Sequence, residues 1–325
     1  NSTHRDVHPT PVDYDEIWGR TLDYASVLKA GDPGAKIFGP VVWGWCAYFY
    51  SAADGCGPGE DHAAHGDFLP WYLDQVEAYR QVHGVRLVDY LDIHYYPQSG
   101  NVYSSDESAG TSALRLRSLK SLYDPSYSDE SWIGQPVNLI PRMRSWIDAH
   151  APGTKLAITE YNFGDADNGI SSALAQAEAL AIFGREGVYA ANRWVVPDTD
   201  SLVEDAFRLY LNYDGTGANV MGESVRAVSS NRDAVGTYAV RGPEGSGLLY
   251  VLLFNKDTST RSTTVSVAGG LVGSVSIYGF DSGSRLSAMG SLSQSAGAFT
   301  VEMPARSARL AVGRMCLEAP PAVPE

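Results

Sequence analysis

The chain has 325 residues, 44% hydrophobic and 11% aromatic, which is enough for one large or two medium domains, each with its own core. Its 38 acidic and 24 basic residues leave a formal net charge of −14, which argues against nucleic acid or an anionic membrane as a partner. No apolar run reaches the length of a membrane-spanning helix.

From residue 1 to about 222, helical patterns alternate with short apolar runs. Asp13 to Ala30 is amphipathic, with Ile17, Trp18, Leu22, Tyr24, Ala25 and Leu28 at helical spacing, and it stops at Gly31-Asp32-Pro33-Gly34. A strand over Lys36 to Trp45 follows, then a Gly- and Asp-rich loop, a helix near Phe68 to His83, and a strand over Leu87 to Tyr96. A long loop leads to a helix near Val137 to His150. Lys155 to Gly164, bounded by Pro152-Gly153 and Gly164, reads as a buried parallel strand that delivers Glu160 at its end. A helix near Ser171 to Glu186, a strand over Ala190 to Val196 and a helix near Leu202 to Tyr213 complete this region. Alternation of this kind predicts parallel βα units.

Beyond about 223 the helical patterns stop. Runs at 224–230, 234–240, 248–256, 260–267, 275–280 and 299–312 are rich in Val, Thr and Tyr and are separated by Gly or Ser, as in an antiparallel sandwich. The predicted domains are therefore 1–222 and 223–316, with 317–325 a Pro-rich tail suited to a linker towards a further module, such as a carbohydrate-binding one.

Chemistry collects at the strand ends of the first region. Trp43 to Tyr50 holds five aromatics in eight positions, Asp92-Ile93-His94-Tyr95-Tyr96-Pro97 closes the next strand, and Asn192-Arg193-Trp194 lies in the last. Aromatic faces beside hydroxyl and amide donors suit a sugar ring, although any single aromatic would more simply be core. A lone Glu160 would more simply pair with an arginine, and the aromatic-rich strand ends that recur around it are what favours catalysis. His94 reads as a support residue of the site. Glu60-Asp61-His62 with His65 reads as a solvated loop rather than a metal site. No metal or cofactor is required; Asp165 and Asp167, in a Gly-containing loop, are the candidates for a structural calcium ion. Cys46 and Cys56 can close a loop or stay as two thiols, and Cys316 makes the count odd.

Thr3-His4-Arg5-Asp6-Val7-His8-Pro9, Gly39-Pro40-Val41-Val42-Trp43-Gly44-Trp45, Asp92-Ile93-His94-Tyr95-Tyr96-Pro97, Ile158-Thr159-Glu160-Tyr161-Asn162 and Phe207-Arg208-Leu209-Tyr210-Leu211-Asn212-Tyr213-Asp214-Gly215 together resemble glycoside hydrolase family 44 in the order of their motifs. That resemblance implies a TIM-like (β/α)8 barrel with a β-sandwich, an extracellular bacterial enzyme, and retaining hydrolysis of β-1,4-glucans such as cellulose derivatives, with xyloglucan or mannan as side substrates. It implies two glutamates, one after strand 4 and one after strand 7. Counting back from Ala190 to Val196 as the last strand makes Glu160 the strand-7 nucleophile and leaves residues 1–222 with strands 5–8 only, a partial barrel. The family's Asn-Glu-Pro acid/base motif is absent; Glu16, on a helix facing solvent, and Glu60, in a loop, are poor substitutes, so the isolated chain is expected to be inactive. Trp43, Trp45 and Trp194 are then expected as sugar platforms, His94, Tyr95, Tyr96, Tyr161 and Asn162 as further substrate-site residues, and Tyr95 or Tyr96 as the hydrogen-bond donor to Glu160. The alternatives are another barrel polysaccharide hydrolase, of xylanase or arabinofuranosidase type, and a non-catalytic carbohydrate-binding fragment.

Overall fold

A computed structural model of the chain describes residues 6–316; the Pro-rich tail and the first residues of the Thr3 to Pro9 motif lie outside the described residues. The chain divides into two compact units that interleave along the sequence. The first comprises the residues up to Ser99, Lys120–Asn162 and Glu186–Val195; the second comprises Gly100–Leu119, Phe163–Arg185 and everything from Val196. The division expected at 222/223 is thus not where the units separate.

In the first unit, β1 (Phe38–Trp43), β2 (Tyr90–Tyr95), β3 (Lys155–Tyr161) and β4 (Ala190–Arg193) form a parallel sheet in chain order. Leu91, Ile93, Leu156 and Ile158 are buried, as expected of parallel strands covered by helices. α1 (Tyr14–Gly31) packs on β1, α5 (Leu139–His150) packs on β3, and α3 (Phe68–His83) contacts both helices. α1 starts where the Asp13 carboxylate accepts the Glu16 amide at 2.8 Å, and α3 ends at Gly84, whose φ of 70° is the left-handed conformation that a glycine adopts without strain. The inward face of α3 carries Leu69, Tyr72, Leu73 and Val76, each fully buried; a buried side chain of this size contributes about 1.5–3 kcal/mol.

One local expectation is corrected here and one open question is settled. Glu60–His65 is a short helix, α2, rather than a loop, with Glu60 in its first turn. Cys46 and Cys56 are joined in a disulfide that closes the turn after β1, while Cys316 is free and exposed.

The second unit contains α4 (Ala109–Ser118), α6 (Ile170–Glu186), α7 (Leu202–Leu211) and all the antiparallel strands. α4 falls inside what reads from sequence as a long loop. The strands are β5 (Glu223–Val225), β6 (Val235–Arg241), β7 (Leu248–Asn255), β8 (Arg261–Ser266), β9 (Leu271–Asp281), β10 (Ser284–Leu292), β11 (Ala298–Met303) and β12 (Ser307–Met315). Six form a sheet ordered β10-β9-β12-β7-β6-β5, and β11 pairs with β8 in a second. Val251, Leu253, Ile277 and Ala311 of the first sheet pack with Phe299, Val301 and Met303 of the second, which makes the expected sandwich. The run expected at 299–312 is two strands interrupted after Met303, where Pro304 cannot donate to a ladder. Asp205 of α7 accepts from Arg285 and from the Leu286 amide, tying that helix to β10.

Candidate active site

Three strands of the parallel sheet bring Trp43, His94 and Glu160 into one row, because Trp43 pairs with His94 and His94 pairs with Glu160. The row depends on irregularities in the ladders. Ile93 faces Ile158, yet the next residue, His94, faces Glu160, so Thr159 is an extra residue in a bulge of β3. A second irregularity falls at Val41, between Pro40 and Val42 of β1.

Glu160 is two-thirds buried, and its Oε2 accepts the Tyr96 hydroxyl at 2.8 Å and lies 3.1 Å from His94 Nδ1. Of the two tyrosines open as its donor, Tyr96 is the one in place. Tyr95 points elsewhere: it is buried, its hydroxyl meets Ser121, and burial followed by the nearby Asp129 carboxylate pushes its phenol well above the usual range. A buried phenol with that partner cannot serve as a sugar contact, which corrects its assignment to the substrate site. Asp92, 1% exposed, accepts the Thr159 amide at 3.1 Å and the Thr159 hydroxyl at 2.8 Å, and the same hydroxyl oxygen lies 3.2 Å from His94 Nε2. Burial pushes the Asp92 carboxyl up, against the pull of its two Thr159 bonds. The hydroxyl of buried Tyr48 donates to the His94 carbonyl at 2.7 Å and fixes the backbone of β2 at the same level.

Tyr161 and Asn162 are fully buried, so neither presents a side chain to a substrate. They hold the end of β4: the Trp194 amide donates to the Tyr161 carbonyl at 3.0 Å, and Asn162 Nδ2 donates to the Trp194 carbonyl. Trp194 itself is 50% exposed at the end of β4, as a platform must be.

A cleft of about 500 Å3 opens at the end of β1, walled by Trp43, Trp45, the Cys46–Cys56 disulfide, Gln98 and Trp132. Trp43 is 50% exposed. Trp45 also reaches the cleft but is anchored from behind, with Phe49 4.8 Å away centroid to centroid and the Arg142 guanidinium 5.3 Å over its ring. Trp45 lies beyond the end of β1, so strand alternation does not govern which way it faces. Gln98 and Trp132 are not evident from sequence. Gln98 joins the cleft wall to the carboxylate, its amide donating to the Tyr96 carbonyl at 2.8 Å while its carbonyl oxygen takes the Trp132 indole at 3.4 Å.

Other acids do not join this cluster. Glu16 accepts from Arg20 at 2.9 Å and faces His8 at 2.7 Å. His62 pairs with Asp67, and no group of three or more His, Cys, Asp or Glu arranged to hold a metal ion occurs among the described residues. Asp167 accepts the Asp198 amide at 2.6 Å.

The site is thus a carboxylate braced by histidine and tyrosine at parallel strand ends, beside a tryptophan-walled cleft, in a chain that also carries an antiparallel sandwich. Residues 1–99 match the model of a family described as Glycoside hydrolase family 44. An Endoglucanase A from Paenibacillus lautus is 36% identical over 266 residues, covering 79% of this chain and 38% of that protein. Among solved structures, CelM2, a bifunctional glucanase-xylanase from a metagenome library, superposes with a TM-score of 0.92 at 37% identity, over 97% of this chain and 62% of that one. A family 44 endoglucanase from Clostridium acetobutylium gives a TM-score of 0.88 at 32% identity, over 96% of this chain and 63% of that one. Residues 1–99 thus match glycoside hydrolase family 44, and the chain is similar to these relatives while spanning less than two thirds of the length of each.

Proposed function

We propose that residues 6–316 are part of a retaining hydrolase of β-1,4-glucans in which β1 to β4 serve as strands 5–8 of a TIM-like barrel and Glu160 is the nucleophile. The observation that carries this reading is the placement of Glu160 Oε2 between the Tyr96 hydroxyl at 2.8 Å and His94 Nδ1 at 3.1 Å. Two donors on one oxygen hold the carboxylate in a fixed orientation and leave Oε1 to attack. A carboxylate lone pair forms the bond to the anomeric carbon, the glycosidic bond breaks with its electrons on the leaving oxygen, and water later hydrolyses the glycosyl ester. The leaving oxygen is protonated by a second glutamate about 5–5.5 Å from the nucleophile; the family resemblance assigns it to the end of strand 4, and its motif is not in residues 1–325. Trp43 and Trp194, half exposed, supply sugar platforms. The Cys46–Cys56 disulfide supports secretion into an oxidising environment.

An activated 2-deoxy-2-fluoro cello-oligosaccharide tests the assignment, since its leaving group departs without acid help. Mass spectrometry should find one adduct, on the peptide containing Glu160, and none with Glu160→Gln. An adduct on a different carboxylate, or undiminished labelling of Glu160→Gln, refutes it. CelM2 is named for both glucanase and xylanase action, so soluble glucan, xylan, xyloglucan and mannan belong in the same substrate panel.

A further inference from the structure

The Thr159 hydroxyl has one proton and two neighbours, Asp92 Oδ2 at 2.8 Å and His94 Nε2 at 3.2 Å. On the far side of the imidazole, Nδ1 faces Glu160 Oε2 at 3.1 Å, and that oxygen already takes the Tyr96 hydroxyl. An ionised Glu160 can only accept, so Nδ1 must carry a hydrogen for this contact to be attractive.

Two arrangements satisfy every contact. In one, Asp92 is ionised and accepts the Thr159 proton, Nε2–H donates to the Thr159 oxygen, and the imidazole carries both protons. In the other, Asp92 is protonated and donates to Thr159, Thr159 donates to Nε2, and His94 is neutral with its hydrogen on Nδ1. The two contain the same number of protons and differ only in where they sit along the row. Two other states, with Asp92 ionised and His94 neutral, leave a contact unmet: a proton on Nε2 sets the Nδ1 lone pair against the Glu160 carboxylate, and a proton on Nδ1 leaves Asp92 and bare Nε2 competing for the single Thr159 proton.

We propose that Asp92, Thr159 and His94 form one positioning unit that shares a single proton and so keeps a donor on His94 Nδ1 facing Glu160. The chain builds this unit deliberately. Thr159 is the extra residue of the β3 bulge, which takes its amide out of the ladder and turns it, with the hydroxyl, onto Asp92. Asp92 is 1% exposed, and its burial raises the cost of its charge, which draws the protonated arrangement closer to the ionised one. In both arrangements Asp92 and His94 together are electrically neutral, so Glu160 keeps its donor without a fixed net positive charge beside it. The unit rests on the reading of Glu160 as the nucleophile for its catalytic meaning, but not for its existence.

The test is 15N NMR of the imidazole nitrogens in the 325-residue chain at pH 7, with the His94 signals among the seven histidines identified by their loss in His94→Gln. His94 should show a protonated Nδ1. Asp92→Asn imitates the protonated acid, because its amide donates to Thr159, and should lock His94 as the neutral Nδ1–H form with a bare, accepting Nε2. Thr159→Val keeps the β-branched shape but removes the relay and should shift both His94 signals, while Thr159→Ser should restore them. A wild-type His94 with bare Nδ1 and protonated Nε2 overturns the proposal, as do unchanged His94 signals in Thr159→Val. Should Thr159→Val fail to fold, the wild-type and Asp92→Asn spectra decide alone. Failure of the nucleophile reading would appear separately, as labelling of a carboxylate other than Glu160.

Discussion

Lys256, just past the end of β7, and Glu178 of α6 form an ion pair at 3.0 Å in which the side chains are 8% and 1% exposed. Tyr238 donates to the same Glu178 oxygen at 3.1 Å, and the other oxygen, Oε2, is buried with no hydrogen-bond partner among the described residues. Lys256→Met therefore strands a carboxylate that water cannot reach and a tyrosine cannot neutralise. Breaking a buried pair from one side costs about 3–5 kcal/mol. A unit of this size loses about 2–4 °C per kcal/mol, so the melting temperature should fall by roughly 6–20 °C. Circular dichroism and scanning calorimetry on the same sample would measure it. Adding Glu178→Leu should recover most of the loss, because removing both charges removes the stranded one. A Lys256→Met protein melting within about 2 °C of the parent, or a double variant no more stable than the single, would refute the reasoning.

Tyr96→Phe removes a donor from Glu160 and lets the carboxylate swing out of its row; labelling by the fluoro sugar should slow by about ten- to a hundredfold, the equivalent of a hydrogen bond to a charged group, with melting unchanged. Trp43→Ala should weaken cello-oligosaccharide binding, read by titration calorimetry, without lowering the melting temperature, whereas Trp45→Ala should lower it, since that ring holds Phe49 and Arg142. Cys46→Ser with Cys56→Ser releases a short loop and should cost about 3 kcal/mol in denaturant melts, together with weaker binding in the cleft that the disulfide walls. Asp92, whose carboxyl is raised by burial, binds its proton more tightly folded than unfolded, so its contribution is fully present below its unfolded value and is lost as pH rises through the folded one. Asp92→Asn cannot ionise, so its stability relative to the parent should climb between pH 4 and neutrality; a flat or falling difference would contradict this sign.

What could be read from sequence was whatever local pattern decides. α3 runs from Phe68 to His83 as its apolar spacing predicts, and Glu160 falls at the end of a strand bounded by its flanking glycines. α4 was missed because its sequence is polar, and its reason for being helical is long-range: Arg115 is fully buried and donates to the carbonyls of Val102, Ser104 and Asp106. β10 was missed because Ser284–Leu292 is rich in Ser and mostly exposed, an edge strand with no apolar alternation to give it away. At the site, aromatic composition marked the right strand ends but not the directions. Tyr95 and Tyr96 are indistinguishable as residues, and the register of β2 sends one to Ser121 and the other to Glu160. Tyr161 and Asn162 sit beside Glu160 in sequence, yet both are fully buried. Thr159 gave no signal at all, since a bulge exists only in the pairing of two strands.

That bulge changes which alterations of chain length the site can survive. With Thr159 counted out, Glu160 follows Ile158 directly and still falls opposite His94, because the extra residue is the one without a partner. Deleting position 159 would thus shorten the strand yet leave the carboxylate at its station, stripped of its relay. Ironing the bulge flat while keeping Thr159 would instead slide Glu160 level with Tyr95, on the side that leads into the interior. In lineages that gain and lose single residues, this strand end can lose one at its most sensitive point and keep its acid in register, whereas a change that straightens the pairing without removing anything would misplace it.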